Sequence, residues 1–448
     1  MELVLEDKDD DAVLEYLMME LASSEEEDED EAARRQHGGS ILGRAPNKAR
    51  DFAGAHARLM KDYFNGSDSV YDEVDFERRF RVPRAMFNLI YETLVIGQED
   101  PFVQKYDALG KPGISPLVRL TACFRKIAYG DACDREDENL RLSQESLRVS
   151  VGSFARAIKR HFGSAYLNRC PSEEEKKKIL DFNATRGFPG CFGSWDCKHF
   201  VWHRCPTVWA GQHKGHHEGG KKSLILESLA DYKRYIWYAN FGDAGSLNDI
   251  NVLDKSSIVG SMLEGTFDVT CEEYTVNGRV RDWMYFLADG IYPDWAVFIK
   301  TYSEPHDEPS KVFATRQELV RKDVECAFGI IVQKFQILQR PLRNWYHYDI
   351  KDLLDCCVIL HNMAIGYKDD SVVLPLVDAN SEVEDKANSD RKWPLFGKHE
   401  VPEDIILADN ADLFAARSAA FDGNMTSANQ HFQLKNDLTC HVYANFTD

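Results

Sequence analysis

Near residue 188 the apolar pattern of this chain changes period, and that change limits the architectures open to it. Before it, residues 80–95, 116–129 and 151–162 carry apolar side chains three and four apart, the spacing of one helix face. After it come short apolar runs bounded by turn residues. Residues 192–202 form one such run, and 223–230 and 235–241 face each other across residues 231–234 as a hairpin. Residues 248–262 read as helix, 284–288 as a short strand closed by Asp289-Gly290, 296–300 as another strand and 315–338 as a long helix. The expected class is α/β, with a mainly helical first part. Three strands, a helix, a strand and further elements ending in a helix is the order of an RNase H-like fold, an argument that order alone carries weakly.

The ends of the chain differ from its middle. The formal charge is −20, but residues 1–32 hold 15 acids against one base, and residues 369–448 hold 15 against six. Residues 33–368 therefore carry 44 acids and 47 bases, so the global charge does not exclude phosphate as a partner. The reading divides the chain into an acidic disordered arm (1–48), a helical region (49–185), a catalytic α/β region (186–367) and an acidic tail (368–448) ending in an amphipathic docking helix over 430–445. Residues 13–21 follow a helical period inside the arm. No apolar run approaches the roughly 18–20 residues of a membrane span, and the acidic start is unlike a signal peptide. Eleven scattered cysteines, an odd number, read as reduced thiols. A soluble intracellular protein without a membrane partner is the expectation.

Three acids fall where metal-dependent phosphodiester chemistry would need them. Such chemistry wants carboxylates converging from rigid elements on hard divalent ions. Asp196 sits inside an apolar strand, Asp289 closes another before a glycine, and Glu325 lies on the long helix, flanked by Val324, Ala327 and Phe328 and facing partly inward. Each alone is more often a structural acid; the three together, in these element types and this order, are candidates for catalysis.

The segments around them resemble the transposases of PIF/Harbinger-type DNA transposons. Gly187-Phe-Pro-Gly-Cys-Phe-Gly-Ser-Trp-Asp-Cys-Lys-His is similar to the family's first-Asp block, continued by Cys205-Pro-Thr-Val-Trp-Ala-Gly-Gln. Phe241-Gly-Asp-Ala-Gly-Ser-Leu-Asn-Asp-Ile-Asn-Val-Leu is similar to its Gly-Ser-x-Asn-Asp block, and Leu287-Ala-Asp-Gly-Ile-Tyr-Pro-Asp-Trp to its second-Asp block. Arg321-Lys-Asp-Val-Glu-Cys-Ala-Phe-Gly matches the Glu block, and Leu360-His-Asn a later helix. Phe80-Arg-Val-Pro-Arg-Ala-Met-Phe and Ala128-Tyr-Gly-Asp-Ala-Cys-Asp fit upstream, so the likeness covers roughly residues 55–367, plus the last helix. It implies an RNase H-like DDE nuclease, with Asp196, Asp289 and Glu325 as catalytic and metal-binding acids for Mg²⁺ (Mn²⁺ as substitute), two ions in all. It also implies DNA terminal inverted repeats as substrate, a Myb/SANT-like DNA-binding partner protein and work in the nucleus, or a cytoplasmic location without that partner. A homo-oligomer is compatible with it. Asp243 departs from the family pattern by adding a carboxylate near the site.

Other residues carry open readings. Residues 142–150 and 151–162 look like a helix-turn-helix whose second helix sets Arg156, Lys159 and Arg160 against DNA, or like two packed helices with a solvated basic face. The loop over 211–222, with His213, His216, His217, Lys221 and Lys222, reads as a mobile phosphate contact. Asn248 and Asp249 either cap a helix or stand behind the metal ligands. Arg321 orients Glu325, contacts DNA, or forms a plain i,i+4 pair. Cys197, His199, His203 and Cys205 have spacings compatible with zinc but no matching pair elsewhere. His361 and Asn362 read as polar groups of helix packing. The alternative to an active transposase is a domesticated, transposase-derived host protein that binds DNA or chromatin without cutting; the intact triad argues for activity. An RNase H acting on RNA–DNA hybrids shares the fold but not the flanking motifs.

Overall fold

The computed structural model describes residues 48–215, 219–263, 266–368 and 425–446; the expected helix over 13–21 and most of the acidic tail lie outside them. From Asp51 onward the chain forms one unit. Its helical part runs α1 (Phe52–Tyr63), α2 (Glu73–Phe80), α3 (Arg84–Ile96), α4 (Pro116–Tyr129), α5 (Asp134–Leu140), α6 (Gln144–Tyr166) and α7 (Glu173–Thr185). The start and stop of α4 are local chemistry. Ser115 accepts the Val118 N–H, Pro116 occupies the first turn, and Gly130 closes the helix in the left-handed region at φ 60°.

Two helical expectations change. Residues 80–95 are not one helix, because Arg81 takes a left-handed conformation and Pro83 stands at the start of α3. The helix-turn-helix over 142–162 is also corrected: α6 passes unbroken through the expected turn at 150–151. Its true start is Ser143, which accepts the Ser146 N–H. Gly152 does not break it, since Leu147, Phe154, Ile158 and Phe162 are buried along one side and outweigh the roughly 1 kcal/mol cost of a mid-helix glycine.

The strands are β1 (Cys191–Val201), β2 (Ser223–Ala230), β3 (Ile236–Ala244), β4 (Thr270–Val276), β5 (Arg279–Trp283), β6 (Tyr285–Ala288) and β7 (Phe298–Lys300). Five of them make one mixed sheet in the order β3-β2-β1-β6-β7. β2 is antiparallel to β1 and β3, whereas β6 runs parallel to β1, and β7 parallel to β6. The short helices α8 (Ala210–His213), α9 (Asp249–Leu253) and α10 (Ser257–Leu263) lie between strands. The expected single helix over 248–262 is thus two pieces. β4 and β5 pair as a separate hairpin around Asn277-Gly278, both at positive φ, a turn that the sequence reading overlooked.

Three long helices complete the unit: α11 (Glu308–Lys334), α12 (His347–Lys368) and α13 (Ala428–Phe446). α11 packs on β1, β2 and β6; α12 packs on α6 and β3. The expected docking helix is present as α13, with Leu434, Leu438 and Val442 buried and Asp437 paired with Arg279 and Arg281 of the hairpin. One apolar cluster joins α1–α6 to β2, β3, α11 and α12, so the change of period near residue 188 falls inside a shared core. Asn362 ties that core together by donating to Tyr166 O and Ile236 O while accepting the Ile236 N–H, and His361 bonds Arg234 O.

Candidate active site

Asp196 and Asp289 are brought side by side by strand register. β1 and β6 pair in parallel with Ser194 opposite Leu287; Asp196 lies two residues further along β1, and Asp289 two residues further along the chain, one past the end of β6. Neighbouring strands are about 4.8 Å apart, and a two-residue step returns to the same face. That face is the one under α11: Ser194 Oγ donates to Val320 O (3.2 Å), and Leu287 packs with Phe313 and Val320. Gln317 anchors the helix by donating to Ala288 O and Ile299 O, both at 3.1 Å, at the ends of β6 and β7.

One turn beyond Gln317 comes Arg321, and one turn beyond that Glu325. Arg321 stands 3.0 Å from Glu325 Oε1 and 3.7 Å from Asp196 Oδ2, so the one guanidinium serves the helix acid and the strand acid. The i,i+4 pair is present, and it does more than decorate a surface. Glu325 is more open than expected: its side chain is 42% exposed, against 18% for Asp196. Asp289 is exposed and accepts the N–H of Gly290 at 2.7 Å.

Burial pushes the Asp196 carboxyl up to about 6. The Cys197 N–H (2.9 Å from Oδ1) and Arg321 pull it down, while Asp249 and Glu325 push it further up. Asn248 caps α9 by accepting the Asn251 N–H at 2.9 Å, which places Asp249 in the first turn, close enough to act on Asp196. The corner therefore brings Asp249 and Glu325 within electrostatic reach of Asp196, with Arg321 between Asp196 and Glu325 and Asp289 just past the end of the adjoining strand. An all-oxygen, net negative donor set suits a hard divalent ion. Among the described residues no three His, Cys, Asp or Glu side chains stand close enough together to hold one as they are oriented. Arg321 supplies the positive charge instead.

Residues 164–372 match the family of plant transposon proteins. This match supports a transposon-derived protein, and its span includes β1, β6, α11 and all three acids. Residues 56–95, from α1 to α3, match a domain of unknown function (DUF8418). No curated protein and no solved structure matches the chain.

The remaining candidates separate. Asp243 lies toward the end of β3, two strands from β1, with Asn240, Lys255, His347 and Lys351 as neighbours, so it does not join the acidic corner. Cys197 contacts Tyr292 OH (3.5 Å), His199 contacts Ser223 Oγ (3.0 Å), and Cys205 turns to Pro206 O; no zinc group forms among the described residues. Arg156, Lys159 and Arg160 meet acids: Asp349 (3.8 Å), Asp352 (3.1 Å) with Asp355 (2.8 Å), and Glu99 respectively. Asp352 and Asp355 hold Lys159 above its usual value although burial opposes this. In the loop over 211–222, His213 is buried against Ser223 O, Lys222 reaches Cys205 O (3.5 Å), Lys221 is exposed, and His216 and His217 lie outside the described residues.

Sequence reasoning missed Ser194 and Gln317, which hold α11 over the strand ends, and it missed Glu227. That acid is fully buried on β2, accepts from Trp195 Nε1 (3.2 Å), and is raised to about 8 chiefly by burial. A single Glu inside Leu224-Ile-Leu-Glu-Ser-Leu-Ala was the available signal.

Proposed function

We propose that the chain is a divalent-metal-dependent DNA endonuclease of the PIF/Harbinger transposase type, with an RNase H-like catalytic core. The observation that carries this reading is the placement of Asp196 on β1 and of Asp289 directly after the adjoining parallel strand β6, beneath the helix that bears Glu325, whose Arg321 reaches Asp196. The sheet order, with β2 alone running against its neighbours, supports the core assignment.

Asp196, Asp289 and Glu325 would hold Mg²⁺ (or Mn²⁺), which supplies an activated water and charge to stabilise the departing oxygen. The chain's own residues prepare the site. Gln317 and Ser194 fix α11 against the strand ends, so that the acids come from rigid elements. Arg321 holds the Glu325 carboxylate toward Asp196 and limits repulsion between the acids. Asp196, poised near 6, is ionised at neutral pH and takes up a proton in mild acid, which weakens the site there.

In this reading the substrate is the terminal inverted repeat DNA of a transposon, engaged together with a Myb/SANT-like partner in the nucleus. The test is cleavage of labelled terminal-repeat duplex by purified protein with Mg²⁺, with and without that partner. Binding without cutting under all these conditions would sink the nuclease reading and leave a domesticated DNA-binding protein.

A further inference from the structure

Beyond the acidic corner, β1 leads into a surface of the opposite character. Residues 198–215 and 335–348 contain no Asp or Glu, although the chain as a whole carries −20. They meet at Trp202, which forms a parallel bridge with Leu342. Leu342 N donates to Val201 O (2.8 Å), His203 N donates to Leu342 O (2.9 Å), and Trp202 Nε1 donates to Asn344 O (3.0 Å). The bonds fix the residues that follow Leu342 against the end of β1.

What they present is aromatic and basic. Trp345, Tyr346 and Tyr348 are 49%, 51% and 54% exposed, and Tyr346 and Tyr348 stack at 5.2 Å and 15°. Trp209, 39% exposed, packs near Trp202 from the other acid-free segment. Large aromatics seldom cluster in water without a partner. Among the described residues Arg204, Lys214 and Arg343 make no ion pair, in contrast to Arg156, Lys159 and Arg160. Exposed rings beside uncommitted cations, on two segments without an acid of their own, suit bases to stack and phosphates to pair. Six residues of extended chain separate Asp196 from Trp202, about 20 Å at 3.3 Å each.

We propose that this surface binds unpaired DNA bases flanking the point of cutting, stacking them on Trp345 and Tyr346 while Arg204, Lys214 and Arg343 contact the backbone. The assignment rests on the nuclease reading for its place beside a cut, but not for its test. Binding is measured in EDTA by fluorescence anisotropy with the full chain. The probes are a labelled blunt duplex, the same duplex with a thymidine overhang, and a free thymidine oligonucleotide.

Wild type should favour the overhang over the blunt end. Replacing both rings with leucine (Trp345→Leu with Tyr346→Leu) should cost about 10- to 100-fold on the overhang and the free strand, and leave blunt duplex within about threefold. Phenylalanine at both positions should restore most of the loss, which a general packing defect would not allow. Arg343→Gln should reduce the salt slope by about 0.7 on single strand. No overhang preference in wild type, or an unchanged affinity in the leucine pair, would overturn the proposal. So would equal weakening on blunt duplex, or dissociation of an oligomer in sedimentation with DNA affinity unaltered; the latter would assign the rings to a protein contact. Failure of the nuclease reading alone appears separately, as intact overhang binding with no Mg²⁺-dependent cleavage.

Discussion

At the contact between α6 and α12, Arg156 and Lys159 meet Asp349, Asp352 and Asp355, and nearby Arg160 meets Glu99. At the β1–β6–α11 corner, Asp249 and Glu325 both act on Asp196, Arg321 reaches Asp196 and Glu325, and Asp289 follows the end of β6. Both regions are rich in charge; in the first each base is held by at least one acid, whereas in the second Asp249 and Glu325 push on Asp196 against the pull of Arg321. Matched charges between packed helices orient and hold the fold, and their removal leaves a partner stranded. Acids crowded together on rigid elements raise the energy of the resting chain and lower it again when a cation arrives. Arg156, Lys159 and Arg160, which looked like a DNA contact, belong to the paired region.

The sharpest way to break this contrast is at the chemistry. Asp196→Asn should reduce Mg²⁺-dependent cleavage of terminal-repeat DNA by three or more orders of magnitude, about 4 kcal/mol or more of barrier. Affinity for that DNA, measured in Ca²⁺, should hold. Asp289→Asn and Glu325→Gln should behave alike, and wild-type cleavage by Asp196→Asn would end the assignment.

A second prediction concerns stability and pH. The folded Asp196 carboxyl titrates near 6 against an ordinary 3.8, so the native state binds its proton more tightly than the unfolded state does. Above about pH 6 this group costs stability; as pH falls from 6 toward 4 the cost fades, by up to about 3 kcal/mol. In EDTA, Asp196→Asn should therefore be more stable than wild type at pH 7.5, with the difference shrinking at pH 5. Urea denaturation at the two values checks it, and a less stable variant at pH 7.5 would contradict the imbalance.

Asp323 gives the opposite sign. It is buried between Arg186 and Arg234, away from the acidic corner. It is not a harmless control, however. Asp323→Asn should destabilise by about 2–3 kcal/mol, because two arginines lose their counter-charge. Exposed Glu318 is the better neutral control, with Glu318→Gln expected within about 0.5 kcal/mol of wild type in the same denaturation series.

The smallest effects test the two supporting helices. Lys159→Met should cost about 1–2 kcal/mol: Lys159 is partly solvated, but Asp355 is not. Asn248→Ala should cost about 1 kcal/mol through the lost cap and leave cleavage within severalfold, since Asp249 rather than Asn248 acts on Asp196. A melting curve for each, beside the cleavage assay, separates capping from a role at the metal.

Period and punctuation were enough to read β1, the β2–β3 hairpin, β6, α4, α11 and α13 from the chain, because the helices write their buried side at a regular interval and the buried strands are apolar runs bounded by turn residues. The element type and order around Asp196, Asp289 and Glu325 were legible for the same reason. Register, pairing and exposure were not, because they depend on residues far apart in sequence. Only the packed structure set Ser194 opposite Leu287, let Arg321 reach Asp196 as well as Glu325, ran α6 straight through Gly152 and turned Lys159 toward two aspartates. A sequence records which side chains carry charge. Whether that charge is matched, buried or left for a ligand is decided where distant segments meet, since Coulomb energy depends on separation and surroundings rather than on order along the chain.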